Sequence, residues 1–403
     1  MKPAGAAVRL SFYYAALFTA VGVHTPFWPL WLRDRGLGPD QIGLIMAATY
    51  LAKIVVGPAM GHLADRGGRF WDDRRRPMMV LAAAAALAWL LFSLADGFWP
   101  VLALTLLAVG LWTGLFPLGE SLALQVTHAA RLDYGRVRLW GSLAFIGSAI
   151  AVGAVLTRAP PSVLVWLVAA ALGVTALACR TLPPAPVRPA GAGAPLRLRP
   201  LLVHPLFLAF LAVASLGNAG HTVYYAFATI HWRDAGLDGD TIGLLWAEGV
   251  IAEVALFAFS GRVVARMGPA RLLLIAALAG VVRWLALAGT VSVPALAAAQ
   301  LLHAATFGCG HLGAMHFLLR AVPAALAVRA QGALAAVAVG VAPAVMSPLA
   351  GRLYASLDGG AFAAMALVSV LGSGLALWLL RRWNGGELTL PVPTAGPRRG
   401  LRR

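Results

Sequence analysis

Ionisable side chains inside long apolar stretches are the first candidates for chemistry in this sequence. The acids and bases of this kind are Glu120, Glu248, Glu253, Lys53, Arg283 and, at the start of an apolar stretch, Arg138. The histidines in similar surroundings are His24, His221, His303 and His311. Because a charge in an apolar medium costs several kcal/mol unless it is paired or reaches water, we interpret these groups as candidates for ligand binding and proton exchange.

Glu253 and Arg283 are predicted to lie at the same depth. Each follows the start of its apolar stretch by about 12 residues, which is ~18 Å along a helix. A desolvated carboxylate near a guanidinium can exchange a proton, so we predict that Glu253 carries the proton and that Arg283 is its partner or the ligand's. His303 and His311 are eight residues apart and lie on neighbouring helical faces, where they could relay the proton or bind the ligand.

The remaining candidates suggest what the ligand looks like. Arg138 and Arg283 suit an anionic group, and Tyr224 beside His221 suits an aromatic body. Structural roles stay open for the same residues, because Tyr224 could serve packing and Glu120 could form a structural ion pair with Arg138.

The composition requires a membrane environment for these residues. The chain has 403 residues, of which 60% are hydrophobic and 12% charged, whereas soluble domains carry about 25% charged residues. A soluble, secreted or disordered protein is therefore excluded. The two cysteines, Cys179 and Cys309, lie in apolar stretches and offer neither a disulfide framework nor a metal site. No cofactor is expected, and no nucleotide loop or placed nucleophile suggests an enzyme.

Apolar stretches of about 20 residues, the length that spans a bilayer, predict an all-α membrane protein of twelve transmembrane helices in two six-helix pseudo-repeats. The repeat is visible at a shift of 200 residues, where Arg33-Asp34 aligns with Arg233-Asp234 and Ile42-Gly43-Leu44 with Ile242-Gly243-Leu244. The predicted divisions are an N-terminal half at 1–180, a cytoplasmic Pro/Arg-rich linker at 181–200, a C-terminal half at 201–382 and a disordered tail at 383–403.

The basic residues predict how the chain is oriented. The sequence contains 32 Lys and Arg against 15 Asp and Glu, a net charge of +17. Placing the N-terminus in the cytoplasm puts most of these bases in cytoplasmic loops and tails, as the positive-inside rule requires. We therefore predict that both termini are cytoplasmic. The expected partners are the lipid bilayer, a small solute and protons, with no nucleic acid, and the expected state is a monomer.

A motif after the second apolar stretch connects the sequence to a superfamily. Residues 61–69 read GHLADRGGR, which resembles the signature of the major facilitator superfamily, a group of secondary transporters with two six-helix halves. The resemblance implies a conformational latch formed by Gly61, Asp65, Arg66, Gly68 and Arg69.

Further stretches resemble a narrower group. The segments DYGRVRLWGS at 133–142, GVVRW at 280–284 and CGHL at 309–312 resemble bacterial 3-phenylpropionate transporters. This resemblance implies proton symport of a small organic solute, an aromatic carboxylate such as phenylpropionate, by alternating access in the bacterial inner membrane. It adds His221, Tyr224 and Arg283 to the expected binding residues.

A more distant resemblance is to the lactose permease branch of oligosaccharide–proton symporters. Glu120 and Arg138 have the eighteen-residue spacing of that branch's sugar-binding pair, and Arg283 with His303 matches its arginine–histidine pair. Thr306 and Phe145 stand where that branch has its proton-carrying acid and its sugar-stacking tryptophan. A sugar or nucleoside proton symporter therefore stays an alternative, as do a proton-coupled exporter of hydrophobic compounds and a transport-inactive receptor or assembly factor.

Overall fold

The computed structural model describes residues 3–66, 70–184 and 198–390, and this described part consists of helices joined by short turns, without strands. We number the long helices α1 Ala4–Asp34, α2 Pro39–Leu63, α3 Arg75–Leu94, α4 Phe98–Ala130, α5 Tyr134–Arg158, α6 Val163–Thr181, α7 Pro205–Asp234, α8 Gly239–Ala258, α9 Pro269–Gly289, α10 Val293–Ala321, α11 324–357 and α12 Ala361–Arg382. Two shorter helices, Arg199–Leu202 and Ser260–Met267, precede α7 and α9.

The count of helices depends on how the last helical stretch is divided. By length and composition, 11 stretches could cross a membrane, and the last, Ala324–Arg382, has 59 residues. At ~1.5 Å per residue it would be about 88 Å long, far more than one bilayer crossing. Its backbone breaks at Asp358, which has φ 49° and ψ −128°. The break separates α11 from α12, and this division gives twelve long helices within the described residues, the number that the sequence predicts.

The helix pairs of the first six helices recur in the last six. In the first set, α1 packs against α6 and α3 packs against α6. In the second set, α7 packs against α12 and α9 packs against α12. The recurrence of these pairs matches the 200-residue repeat of the sequence, because equivalent apolar faces find equivalent partners.

The two sets meet through glycines at one end of the bundle, which we call the distal side, where α1 ends and α2 begins. A Cβ at Gly43 in α2 would lie 2.6 Å from the Ser347 carbonyl oxygen in α11. A Cβ at Gly243 in α8 would lie 2.5 Å from the Ala149 carbonyl oxygen in α5. Real Cβ atoms do not approach so closely, so only glycine allows these helices to touch.

Polar contacts add to this distal closure. Thr229 Oγ1 in α7 donates to the Pro26 carbonyl in α1 at 2.5 Å, and Arg33 forms an ion pair with Asp234 across the two sets. Asp240 N donates to Thr157 Oγ1 at 3.0 Å. These bonds all lie near the distal ends of their helices, so the two sets are held together on that side.

The first residues of the tail, 383–390, are ordered against the bundle, whereas the sequence predicts a disordered tail from residue 383. The Leu388 amide donates to the Ala321 carbonyl at 2.8 Å, and the Trp383 ring lies 4.6 Å from the Phe317 ring. Both Trp383 and Leu388 are buried, so apolar side chains anchor residues 383–390 to the bundle. The rest of the tail, 391–403, and residues 185–197 of the linker lie outside the described residues, and the domain boundaries stay predictions.

The predicted latch also falls largely outside the described residues. Gly68 and Arg69 are not described, nor are the side chains of Asp65 and Arg66. Gly61 lies in helix Pro39–Arg66, but a Cβ there would meet no atom within 4 Å. This distance refers to contacts with described residues only, so the latch stays a prediction.

Candidate functional site

A cavity of about 490 Å³ lies between the two sets of six helices. Its walls come from α1, α2 and α5 on one side and from α7, α8, α10 and α11 on the other. This volume is within the ~300–1,000 Å³ range of small-molecule sites. A site shared by both halves is the arrangement in which a relative movement of the halves changes access.

The predicted site residues divide between the cavity wall and the layer behind it. The residues that line the cavity are Arg138, Tyr224, Glu253, His303 and His311. Glu120, His221 and Arg283 do not line it, although each contacts a residue that does.

Arg283 lies behind the cavity wall, where hydrogen-bond acceptors contact both of its terminal nitrogens while its buried Nε has no partner among the described residues. It is 0% exposed. Its Nη1 is 3.0 Å from His303 Nδ1 and 3.1 Å from Thr306 Oγ1, and its Nη2 donates to Gln300 Oε1 at 2.8 Å. The guanidinium also lies 4.5 Å from the centre of the Tyr224 ring, a cation–π distance. These contacts hold the cation rigidly at the back of the site.

Gln300 extends this network to the cavity wall. Its Nε2 donates to the Tyr224 hydroxyl at 2.7 Å and to the Leu245 carbonyl at 2.9 Å. Sequence reasoning did not select Gln300 or Thr306. Their signal is a spacing of three on either side of His303, which places polar side chains near one face of α10.

His303 stands between Glu253 and Arg283, which the sequence predicts to meet directly. The Glu253 Oε2 atom is 3.5 Å from His303 Nε2, while Arg283 is bound to Nδ1 of the same ring. Among the described residues no ion pair joins Glu253 to Arg283. Because the guanidinium can only donate, Nδ1 accepts and the ring proton is on Nε2, facing the carboxylate. The histidine therefore couples the carboxylate to the buried cation.

A π-helical turn sets the direction of the cavity-facing rings in α10. It runs over Ala304–Cys309. The rings of His303 and Phe307 stack at 5.4 Å, and those of Phe307 and His311 stack at 6.3 Å, nearly parallel in both cases. The turn inserts an extra residue, so that residues four apart line up. The two histidines thus share one cavity face.

Arg138 is held by Glu120, which does not line the cavity, and by Phe18, which does. Its Nε is 3.5 Å from Glu120 Oε1, and Tyr134 donates its hydroxyl to the other oxygen of Glu120. Its guanidinium lies 4.0 Å from the centre of the Phe18 ring. Glu120 therefore orients Arg138 from α4, and Arg138 is the member of the pair that reaches the cavity.

Lys53 adds a second cation to the wall formed by the first six helices. Its Nζ lies 5.4 Å from the Tyr50 ring centre, and both residues line the cavity. Among the described residues no carboxylate lies within ion-pair distance of Lys53. The cavity thus has cations on one side and the Glu253 carboxylate on the other.

Aromatic side chains form much of the remaining wall, and most were not selected from the sequence. They include Trp28, Tyr50, Phe145, Tyr225 and Trp246. An apolar ring would find stacking partners here. Within the described residues, no group of His, Cys, Asp and Glu is arranged to hold a metal ion.

Comparison with known proteins gives consistent matches along the chain. The model of the MFS_1 like family matches residues 7–364. The chain is 33% identical over 378 residues to the "Probable 3-phenylpropionic acid transporter" of Escherichia coli (strain K12), covering 90% of this chain and 94% of that protein. It is 31% identical over 293 residues to the "Maltose permease" of Geobacillus stearothermophilus, covering 70% and 72%.

A similar fold occurs among solved structures. The crystal structure of the nucleoside transporter NupG superposes with a TM-score of 0.78 at 15% identity, covering 94% of this chain and 99% of that one. At this identity the likeness concerns the fold alone.

Proposed function

The chain belongs to the MFS_1 like family and is a multi-pass membrane transporter, and from this premise we propose that it carries a small aromatic carboxylate by proton symport. The observation that supports the proposal most is the arrangement of charge and rings in the central cavity. Lys53 and Arg138 lie on one wall, Glu253 on the other, and aromatic side chains between them. The name of the Escherichia coli relative suggests 3-phenylpropionate as the first substrate to test.

In this proposal, the charge of Glu253 couples the binding of the proton to the binding of the substrate. An ionised Glu253 repels a carboxylate bound in the same cavity, where the low dielectric strengthens the repulsion. Protonation of Glu253 removes the repulsion, so that substrate and proton bind together. His303 orients the Glu253 carboxylate. Because His303 also contacts Arg283, a change in the charge of Glu253 affects the hydrogen bonding of Arg283.

The same proposal assigns the conformation. If the basic loops are cytoplasmic, the distal side is external and the glycine contacts close the outer gate. The structure would then be an inward-facing state, from which substrate and proton leave to the cytoplasm. We also propose a location in the bacterial inner membrane with both termini cytoplasmic, function as a monomer, and no enzymatic activity.

A sugar symporter is the second candidate, and two observations favour it. The Glu120–Arg138 pair is intact at 3.5 Å, and a relative named maltose permease matches 70% of the chain. In this reading Phe145, which lines the cavity, would stack on a sugar ring. Because Glu120 does not line the central cavity whereas Arg138 does, only the arginine of this pair is placed to contact such a ring.

Counterflow in proteoliposomes tests the substrate assignment. Liposomes loaded with unlabelled 3-phenylpropionate, maltose or a nucleoside are diluted into the same labelled compound at tracer concentration. We expect transient accumulation of 3-phenylpropionate only. Accumulation of maltose or of the nucleoside instead would show that the substrate belongs to that class and not to the aromatic acids. Absence of counterflow with every compound would support the receptor or assembly-factor alternative.

A further inference from the structure

A second cavity, of about 360 Å³, lies inside the C-terminal set of helices. Its walls come from α7, α9, α10, α11 and α12, without a contribution from α1–α6. Tyr225 and Phe307 line both this cavity and the central one, so they form part of the partition between them. No Asp, Glu, Lys or Arg is among the described residues that line it, which disfavours a charged ligand.

Two features of the backbone create this space. Small residues such as Gly217 and Gly280 line it. In addition, π-helical turns in α10, Ala304–Cys309, and in α11, Ala335–Val341, both contribute lining residues. Single π turns cost regular hydrogen bonding and occur frequently at functional sites. Two of them flanking one cavity indicate that its volume is a built feature.

Several uncharged polar side chains line the cavity, including Asn218, Gln331 and Ser369, and His221 is the one with an unsatisfied ring nitrogen. It lines the cavity and is 6% exposed. Its Nδ1 is 2.8 Å from the Gly217 carbonyl, and because a carbonyl only accepts, the ring proton is on Nδ1. Among the described residues no carboxylate contacts this ring, so the neutral form is favoured and Nε2 is an acceptor. That buried Nε2 has no hydrogen-bond partner among the described residues, which leaves an unsatisfied acceptor.

We propose that this second cavity binds an uncharged aromatic compound with a hydroxyl group, which donates to His221 Nε2. Trp284, whose ring packs edge-on to His221 at 4.9 Å, supplies a surface for the aromatic body. An apolar cavity of ~150 Å³ is enough to bind benzene, so 360 Å³ accommodates a substituted ring. Because all its walls belong to one half, rocking of the halves does not alternate its access. The site is therefore accessory to the transport route.

Scintillation proximity binding of radiolabelled 4-propylphenol to the purified full-length protein tests the proposal. The competitor 4-propylanisole has the same ring and propyl chain but no hydroxyl donor. We expect saturable binding of 4-propylphenol and at least about fivefold weaker competition by 4-propylanisole, the effect of one buried hydrogen bond. His221→Phe, which keeps the ring stacking, should weaken binding by about the same factor and abolish the preference for the phenol.

A glycine variant tests the position of the site. Gly217 lines the cavity and a Cβ there meets no atom within 4 Å, so the side chain of Gly217→Leu should occupy part of the cavity and abolish saturable binding. Gly374 is equally unobstructed but lies on an exposed face of α12, so Gly374→Leu should bind as the wild type does. Absence of saturable binding to the wild type, equal affinity for both compounds, or unchanged affinity in either His221→Phe or Gly217→Leu would overturn the proposal.

Discussion

Gly243→Val should open the distal side of the transporter. In the closed arrangement a Cβ at position 243 would lie 2.5 Å from the Ala149 carbonyl oxygen and 3.2 Å from Gly153 Cα. Ordinary contact begins at 3.4 Å, so α5 and α8 must separate by about 0.9 Å at this point, the difference between 3.4 and 2.5 Å. The backbone atoms on the α5 side cannot rotate away, and the strain falls on the closed state alone.

The size of the effect follows from the cost of overpacking. Extra methyl groups in a packed contact cost about 1–3 kcal/mol. The strain disappears when the halves separate on the distal side, so the equilibrium between closed and open states shifts by about 5- to 150-fold. The shift favours the distal-open state.

Cysteine labelling measures this shift. The two native cysteines are buried and can be replaced by alanine, and Ser142, which lines the central cavity, is replaced by cysteine. A membrane-impermeant maleimide applied to whole cells should label this cysteine at least about fivefold faster in Gly243→Val than in the parent protein. Gly374→Val is the matched control and should label at the parent rate. Equal rates for all three proteins would refute the proposed glycine closure.

Three further predictions concern the central cavity and the tail. Lys53→Gln should weaken 3-phenylpropionate binding about tenfold, because a charged hydrogen bond to the substrate carboxylate is lost. Competition by neutral 3-phenylpropanol should not change. An equal loss for both compounds would contradict the role of Lys53 in binding the carboxylate. The combined variant Arg283→Met/Gln300→Leu should lose less free energy of unfolding than the sum of the two single variants, by about 1–3 kcal/mol, as measured by thermal unfolding. Additive losses would mean that the 2.8 Å hydrogen bond between the two side chains carries no coupling energy. Trp383→Ala should lower the unfolding temperature because it leaves a cavity against Phe317, and an unchanged temperature would show that the tail does not stabilise the bundle.

The helical architecture could be predicted from the sequence because hydropathy identifies the stretches that are long and apolar enough to cross a membrane. The long apolar stretches appear as helices, and the 200-residue repeat appears as equivalent helix pairs. Depth estimates also placed Glu253 and Arg283 close to one another. These properties depend on distance along a helix, which the rise per residue fixes.

Rotation about the helix axis and the identity of neighbours were harder to predict. The position of His303 between Glu253 and Arg283 depends on how α8, α9 and α10 pack side by side. The depth of each residue in the membrane does not determine this packing. The π turn in α10 changes the direction of His311 relative to His303. A prediction from the regular α-helical period does not include such a turn. The sequence predicts Glu120 as a binding residue, whereas in the structure it contacts Arg138 and does not line the cavity. Gln300 carries no charge, so the cost of burying a charge in an apolar stretch does not single it out.

Proton-driven uptake by the Glu253→Gln variant is the most direct test of the central proposal. With an acidic exterior and an alkaline lumen, wild-type proteoliposomes should accumulate 3-phenylpropionate and take up protons with it. Glu253→Gln resembles the protonated carboxylate, so it should keep counterflow of 3-phenylpropionate and lose the accumulation driven by the pH gradient. Accumulation by Glu253→Gln equal to that of the wild type would contradict the assignment of Glu253 as the coupling group.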